Sequence, residues 1–385
     1  MHLQQTLEKY IPLIHNMLVP TAIFACALIS FLLKGSLSNE SALFYHWGFY
    51  TISFVCFILM LNFNRSRLLF FMIITTLSYV LINYIKNRFG TDFQNDINYQ
   101  NLCVFLPFNL LFFYLIKSSR FISRTSLLFL VLVSLEYSIA EFLGRFGLSL
   151  EYKLYNINLF TCSGFSLLCI IVFIKSVRYG RFFDYCILFA SFSLCAALIF
   201  STQASGLSLF FFVTQLLLAI YIIFTLIHNH FYDDATGFYN RNSYIIQSKH
   251  FPLKYSLGII SIDNYENLRK TIGMRAQKVI NKLIAETIQE MVVEGTIYRY
   301  APDQFVVMYK KLDRKEAFQH LDNIRRQIAG LAYEYHPRKK PLKLTVSCSV
   351  AEKKRSDISA IEVLMRADKE MRKTLKFSHN VTSMG

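Results

Sequence analysis

Two acidic residues lie close to the ends of predicted β-strands. Asp263 directly follows the apolar run 255–262, and Asp303 lies between two shorter apolar runs. Mg²⁺ in phosphate-transferring sites is held by one or two carboxylates together with substrate oxygens. Nearby, Ser261 and Gln304 are both neutral, so neither adds a carboxylate to these two places.

The two shorter runs, 296–300 and 305–309, flank a polar break that contains a proline. This pattern predicts a β-hairpin. Pro302 fixes its own φ angle and has no backbone N–H, so this turn cannot present that donor to a ligand. The nearly continuous apolar run Tyr255–Ile262 predicts a strand that is buried on both sides and central in its sheet.

Helical periodicity follows in three places. Apolar residues recur at helical spacing over 276–291 and 318–331, and a third stripe ends at Leu375. Ser359 with Glu362 three residues later predicts a capping box at the start of the third helix. Strands and helices therefore alternate, which predicts an α/β domain with a ferredoxin-like sheet and helices on its faces.

The hairpin resembles the signature of the GGDEF domain of diguanylate cyclases, and two further motifs support the resemblance. Asp233–Arg241 is similar to the opening motif D-x-L-T-G-L-x-N-R of that family. The strand at Leu344–Ser347 and the sequence Arg366–Asp368 are similar to its closing strand and its A-D-x-A-M-Y helix. The resemblance covers about residues 228 to 380 and predicts a degenerate GGDEF domain over 228–385.

The resemblance also identifies the positions that an active cyclase would use. Its two metal-binding carboxylates correspond to Ser261 and Asp303, and its essential acid corresponds to Gln304. The two glycines that let the backbone approach the nucleotide correspond to Ala301 and Pro302. The metal, acid and backbone requirements of the family are therefore not met together.

The nucleotide-recognition positions are altered in the same way. The residues that would accept hydrogen bonds from guanine correspond to Arg269 and Lys278, which are obligate donors. The phosphate-binding basic positions correspond to Leu375 and His379, while Asp263 is kept at a position that mainly supports structure in the family. The product-binding motif R-x-x-D would occupy 292–295 and is absent, so a cyclic-di-GMP receptor role has no support there.

The retained motif residues are those with structural roles in the family. We expect them to stabilise the fold rather than to act in chemistry: Asp233, Thr236, Gly237, Asn240, Arg241, Arg299, Phe305 and Asp368.

The first 227 residues form a separate, strongly apolar region. They contain eight apolar runs, most of them close to the roughly 20 residues that span a bilayer, near 13–33, 43–63, 68–85, 101–116, 126–144, 157–175, 182–200 and 206–227. Soluble helices would show a polar face, and these runs do not. The sequence predicts an eight-helix transmembrane domain over 1–227.

Lys and Arg are concentrated in alternate connections between these runs: Arg65, Arg67, Lys117, Arg120, Arg124, Lys175, Arg178 and Arg181. This asymmetry predicts that those connections and both termini lie on the cytoplasmic side. The membrane is then expected to be a bacterial inner membrane. The apolar run at the start lacks a cleavage site and is interpreted as the first span. Within the spans Glu136 is a candidate for a polar cavity, whereas Glu141 lies near a membrane edge.

Composition excludes several other classes. The net charge is +16, but its one dense basic cluster, 337–341, is short and predicts a solvated loop rather than a nucleic-acid surface. None of the eight cysteines forms a C-x-x-C pair, so no zinc site or disulfide framework is indicated. We predict no metal and no cofactor.

Three hypotheses follow. The leading one is a catalytically inactive signalling or assembly protein that binds a protein partner, with cyclic-di-GMP signalling and exopolysaccharide production as the context implied by the resemblance. The alternatives are an atypical cyclase or nucleotide receptor, and a membrane sensor of a lipid or small hydrophobic ligand. A homo-oligomer is compatible with each of them.

Overall fold

The computed structural model describes residues 2–34, 39–63, 66–115, 131, 135–136, 138, 153–154, 157–292, 294–335 and 340–385. It separates into two compact units, 1–224 and 225–385. Several features discussed above lie outside the described residues: the connections with Arg65, Lys117, Arg120 and Arg124, most of the run 126–144, Glu141, and positions 337–339 of the basic cluster.

The N-terminal unit is built from long helices. Their bounds are α1 His2–Lys34, α2 Asn39–Phe63, α3 Ser66–Phe89, α4 Ile97–Leu115, α5 Leu159–Tyr179 and α6 Phe182–Ile199. A seventh helix, α7 Ala204–Phe231, begins in this unit and ends in the next. Short antiparallel strands, β1 Lys153–Leu154 and β2 Ile157–Asn158, precede α5.

Within the described residues, six helices are long and apolar enough to cross a membrane, where the sequence predicted eight. The run near 101–116 forms α4, which contains Pro107 inside the helix and is not among these six. The run near 126–144 is described at only a few positions. Among these is Glu136, whose Oε2 accepts a hydrogen bond from Asn109 Nδ2 at 3.0 Å.

The C-terminal unit contains a six-stranded mixed sheet in the order β10-β9-β4-β6-β5-β3. Its strands are β3 Tyr239–Asn240, β4 Tyr255–Ile262, β5 Thr296–Ala301, β6 Gln304–Lys310, β9 Val346–Glu352 and β10 Thr382–Met384. Strand β4 pairs antiparallel with both β6 and β9, and every one of its residues is buried. The prediction of a central buried strand and of the β5–β6 hairpin is therefore confirmed. Two further strands, β7 Ala332–Tyr333 and β8 Leu342–Lys343, pair antiparallel with each other outside this sheet.

Helices cover both faces of this sheet. They are α8 Arg241–Gln247, α9 Tyr265–Met291, α10 Arg314–Gly330 and α11 Ala360–Leu375. One apolar core includes Ile284 of α9 and Leu321 of α10, and the other includes Tyr244 of α8 and Met371 of α11. Burying an apolar face of each helix against the sheet is what gives this three-layered arrangement its stability.

Local details differ from the sequence-based expectations at helix ends. Ser359 is the N-cap of α11, but its side chain makes no capping hydrogen bond. A complete capping box instead begins α10, where Asp313 Oδ1 accepts from the Glu316 N–H and Glu316 Oε2 accepts from the Asp313 N–H. Helix α9 is interrupted at Gly273, whose φ of 77° is in the left-handed region that favours glycine.

Candidate functional site at the hairpin

A cavity of about 470 Å³ lies where β4 ends and the β5–β6 turn begins; we call it the hairpin cavity. Its lining includes Ser261 and Asp263, the turn residues Pro302 and Asp303, and the first turn of α9. Leu375 and His379 complete the wall. The structure thus brings the predicted metal positions together with the two predicted phosphate positions.

The guanine positions lie elsewhere. Neither Arg269 nor Lys278 lines the hairpin cavity, and both side chains are exposed. Arg269 Nη1 lies 4.0 Å from Glu266 Oε1 in an exposed pair within α9. Such a surface pair contributes little to stability, so it does not fix Arg269 near the cavity.

Ser261 and Gln304 are directly opposite each other in the β4–β6 ladder. These are the positions at which the resemblance expects a metal-binding carboxylate and an essential acid. Both are neutral, and Ser261 is buried. The backbone N–H of Ile262, next in β4, donates to the Asp303 carbonyl at 2.9 Å and so joins the end of this strand to the turn.

The Asp263 carboxylate accepts three hydrogen bonds. Thr345 Oγ1 donates to Oδ2 and Ser347 Oγ donates to Oδ1, each at 2.7 Å, while the Asn380 N–H donates to Oδ2 at 3.0 Å. His379 Nδ1 lies 3.5 Å from Oδ1. The Asp263 side chain is only 2% exposed. These contacts join β4, β9 and the segment before β10.

Arg299 stabilises the β5–β6 turn. Its guanidinium lies over the Phe305 ring at 4.1 Å and donates through Nη2 to the Pro302 carbonyl. Burial lowers the pKa of Arg299, while nearby Tyr265, Asp233 and Asp303 act in the opposite direction. Ala301 adjoins a register irregularity in the hairpin. This arrangement fixes the backbone of the turn without using a glycine.

The opening motif forms a compact turn. Asp233 Oδ2 accepts from the Thr236 N–H at 3.0 Å and from Thr236 Oγ1 at 2.8 Å. The backbone closes over this side chain, since the Gly237 N–H donates to the Asp233 carbonyl and the Asp233 N–H donates to the Phe238 carbonyl. Gly237 has a φ of 76°, a conformation that a side chain would strain.

Asn240 connects the end of α7 to the start of α8. Its Nδ2 donates to the His230 carbonyl at 2.9 Å, and its Oδ1 accepts from the Ser243 N–H at 3.0 Å as the N-cap of α8. Ser243 Oγ donates to the Phe231 carbonyl. Arg241 lies over the Tyr300 ring at 5.0 Å, which links this motif to β5.

In the closing motif, Arg366 makes a stronger ion pair than Asp368 does. Asp368 pairs with the exposed Arg372 at 2.7 Å. Arg366 instead makes a bidentate pair with Asp357, through Nη1 at 2.8 Å and Nη2 at 3.0 Å. The Arg366 hydrogen bond lowers the pKa of Asp357, against the effect of burial.

The side chains that could serve as metal ligands at the hairpin cavity do not fit the Mg²⁺ that the resemblance implies. Asp263 is engaged by three donors, and Ser261 offers a hydroxyl in place of a carboxylate, which leaves Asp303 from the predicted set. In the part of the chain that the structure describes, no group of three or more His, Cys, Asp or Glu side chains is arranged to hold a metal ion. Hard divalent cations need several oxygen ligands, so no metal-dependent step is derived for this site.

A known protein family matches most of the C-terminal unit. The family model described as "Diguanylate cyclase, GGDEF domain" matches residues 230–380. Residues 230–380 form a GGDEF domain. The resemblance seen in the three sequence motifs is thus confirmed over this part of the chain.

Several solved structures are similar to the chain. The GGDEF domain of FimX from Pseudomonas aeruginosa is 18% identical, with a TM-score of 0.37 over 40% of this chain and 98% of that one. The GGDEF domain of DgcB from Caulobacter crescentus, in complex with c-di-GMP, is 18% identical, with a TM-score of 0.36 over 40% and 92%. SiaD in complex with its activator SiaC, from Pseudomonas aeruginosa, is 16% identical, with a TM-score of 0.39 over 67% and 91%. No curated protein matches the chain.

Some structural contacts of the GGDEF domain were not found from the sequence. Thr345, Ser347 and Asn380 hold Asp263, although they are far from it along the chain. A buried aspartate needs donors, but the sequence does not identify which ones. The Asp357–Arg366 pair was missed for the same reason.

Proposed function

We propose that this protein is a membrane-bound component of a cyclic-di-GMP-related pathway whose GGDEF domain makes no cyclic di-GMP and acts by contacting a protein partner. The observation that carries the proposal is the pairing of two neutral residues, Ser261 and Gln304, at the end of the β4–β6 ladder. Neither can supply the charge or the proton transfer that the family's reaction needs.

The other positions support the same conclusion. Pro302 lies in the wall of the hairpin cavity and has no N–H to donate to a phosphate. Asp263 is committed to structural hydrogen bonds. Arg269 and Lys278 are exposed donors outside the cavity, where they cannot accept hydrogen bonds from guanine.

Contact with a protein is supported by apolar side chains on the outer surface of the domain. Ile361 and Met365 are exposed on the same face of α11, one helical turn apart, and Ile358 just before the helix is 91% exposed. Apolar residues grouped on a surface are typical of interaction sites. We further propose that the chain lies in a bacterial inner membrane with both termini cytoplasmic, and that exopolysaccharide production is one process it serves.

The activity test uses the full-length protein in lipid nanodiscs, incubated with GTP and Mg²⁺, with product measured by mass spectrometry. We expect no cyclic di-GMP, and none from Gln304→Glu, because Ser261 and Pro302 still fail to provide metal and backbone contacts. An active diguanylate cyclase in the same nanodiscs is the positive control. Turnover by the wild-type protein would overturn the proposal in favour of an atypical cyclase.

The partner test compares affinity purification of the wild-type chain from native membranes with that of Met365→Glu and of Lys369→Glu. We expect Met365→Glu to lose a protein that the wild-type chain retains, because a charge is placed within the exposed apolar face. Lys369→Glu is the matched control, since Lys369 is also exposed on α11 but is already charged. An unchanged set of partners in Met365→Glu would remove α11 as the contact surface.

A further inference from the structure

A second cavity lies in the N-terminal unit between α2 and α3; we call it the α2–α3 cavity. Its volume is about 320 Å³, at the lower end of the range of small-molecule sites. Its walls include the rings of Tyr50, Phe54 and Phe57. Phe54 and Leu77 are 67% and 56% exposed, so the cavity opens on the outer surface of the apolar helices. In a bilayer this opening faces hydrocarbon, and a ligand would enter from the membrane.

Two hydroxyl groups are the polar features of this wall besides Tyr50. Ser53 is 7% exposed, and its Oγ is buried with no hydrogen-bond partner among the described residues. Thr76 Oγ1 accepts a hydrogen bond from Gln215 Nε2 at 3.3 Å, and this contact does not use the hydrogen of the hydroxyl. An unpaired buried hydroxyl carries a desolvation cost that a ligand acceptor would remove.

These features define the ligand chemically. The lining contains no charged residue, so an ionised ligand would be costly to place there. Aromatic walls favour an aromatic or conjugated body, because rings pack against rings in offset or edge-to-face arrangements. Ser53 and Thr76 can both donate, so the polar group of the ligand is an acceptor such as a carbonyl oxygen.

The cavity wall is also connected to α7. Gln215 of α7 donates to Thr75 at 2.9 Å as well as to Thr76 of α3, and its Oε1 is buried without a partner in the described part of the chain. Tyr79 of α3 is hydrogen bonded to Ser208 of α7 at 2.9 Å. A ligand oxygen at Thr76 would therefore lie one hydrogen bond away from the helix that ends at Phe231.

We propose that the α2–α3 cavity binds a neutral, membrane-dissolved molecule with an aromatic or conjugated body and a carbonyl oxygen that accepts from Ser53 and Thr76. This site does not depend on whether the GGDEF domain is active.

Trp47 provides a direct measurement of occupancy. It is the one tryptophan of the chain, and its ring lies 6.5 Å from that of Tyr50, which lines the cavity. Ring-bound bromine quenches tryptophan fluorescence at short range. The probes are 4-bromoacetophenone, which carries the carbonyl, and 1-bromo-4-ethylbenzene, which has the same size and bromine but no carbonyl. Both are titrated into the full-length protein in nanodiscs.

We expect quenching by the ketone to saturate, and quenching by the hydrocarbon to rise without saturation as it does for collisions in the bilayer. Ser53→Ala and Thr76→Val should each weaken ketone binding by about two- to tenfold, the range for loss of one hydrogen bond. Ser163→Ala is the matched control, because this hydroxyl is exposed on α5 and bonds to the Phe160 carbonyl. Its binding curve should match that of the wild-type protein.

Leu77→Phe tests the volume of the cavity independently of hydrogen bonds. Leu77 is more than half exposed, so the larger ring is accommodated without disturbing the helix core. We expect it to abolish the saturating component. If both probes quench alike, or if ketone binding is unchanged in Ser53→Ala and Leu77→Phe, the cavity is filled by bilayer hydrocarbon only and the proposal is wrong.

Discussion

Asp263 is the residue at which a structural role and a chemical role make the most different predictions. It lies in the wall of the hairpin cavity, yet its carboxylate accepts hydrogen bonds from Thr345, Ser347 and Asn380. Removal of this carboxylate in Asp263→Ala should therefore destabilise the GGDEF domain. An active-site carboxylate without such partners would be removed at little cost to stability.

The magnitude follows from the three contacts. A hydrogen bond to a charged group contributes about 1.5 to 3 kcal/mol, so a simple sum gives roughly 5 to 9 kcal/mol. The true loss is smaller, because the Asn380 N–H also lies 3.1 Å from Ser347 Oγ and keeps that acceptor. The threonine hydroxyl can also turn toward water in the space that the side chain leaves. We expect an unfolding free energy lower by about 4 kcal/mol, or a melting temperature of the domain lower by about 8 to 16 °C.

The measurement is pulse proteolysis of the full-length protein in nanodiscs across a urea series, with the GGDEF domain followed through a C-terminal tag. The matched control is Asp303→Ala, which removes a carboxylate from the same cavity and should cost less than about 1 kcal/mol. Equal losses in the two variants, or a loss below about 1 kcal/mol in Asp263→Ala, would refute the assignment of Asp263 to structure.

Three further predictions use other contacts of the domain. Asn240→Ala removes the N-cap of α8 and the hydrogen bond to the His230 carbonyl, and it should lower the unfolding free energy by about 2 kcal/mol in the same assay. Asn242→Ala, at an exposed position, should lower it by less than about 0.5 kcal/mol. The pKa of Asp357 is lowered from 3.8 in the folded state, so its contribution to the stability of the domain is present above pH 3.8 and is lost as the pH falls through the lowered pKa. The urea midpoint of the wild-type protein should therefore decline below about pH 4, and that of Asp357→Asn should decline less steeply. A flexible Gly/Ser segment inserted after His228 interrupts α7. The protein should still enter the membrane, but partner binding should no longer depend on the membrane region. Unchanged function in cells would mean that the membrane helices serve only as an anchor.

The local pattern of the sequence was sufficient for the elements of the GGDEF domain. Five of the eight residues in the run 255–262 are apolar and the other three are small and uncharged, a pattern that favours a strand covered on both faces. Strand β4 was predicted with its observed bounds. The hairpin followed from two apolar runs around a proline. Long apolar runs likewise predicted membrane helices. Six of the eight runs correspond to candidate spans among the described residues, whereas α4 is not one of them and the run 126–144 is described at only a few positions.

Contacts between distant parts of the chain depended on the tertiary structure. The sequence did not show that Ser261 would lie opposite Gln304, since that register is set by the whole β4–β6 ladder. It also did not reveal the donors to Asp263 or the polar connection between Thr76 and Gln215. Neighbours along the chain determine strands, helices and turns through backbone preference and the period of apolar residues. Hydrogen-bond partners of a buried side chain are determined only when the packed elements bring them within about 3 Å.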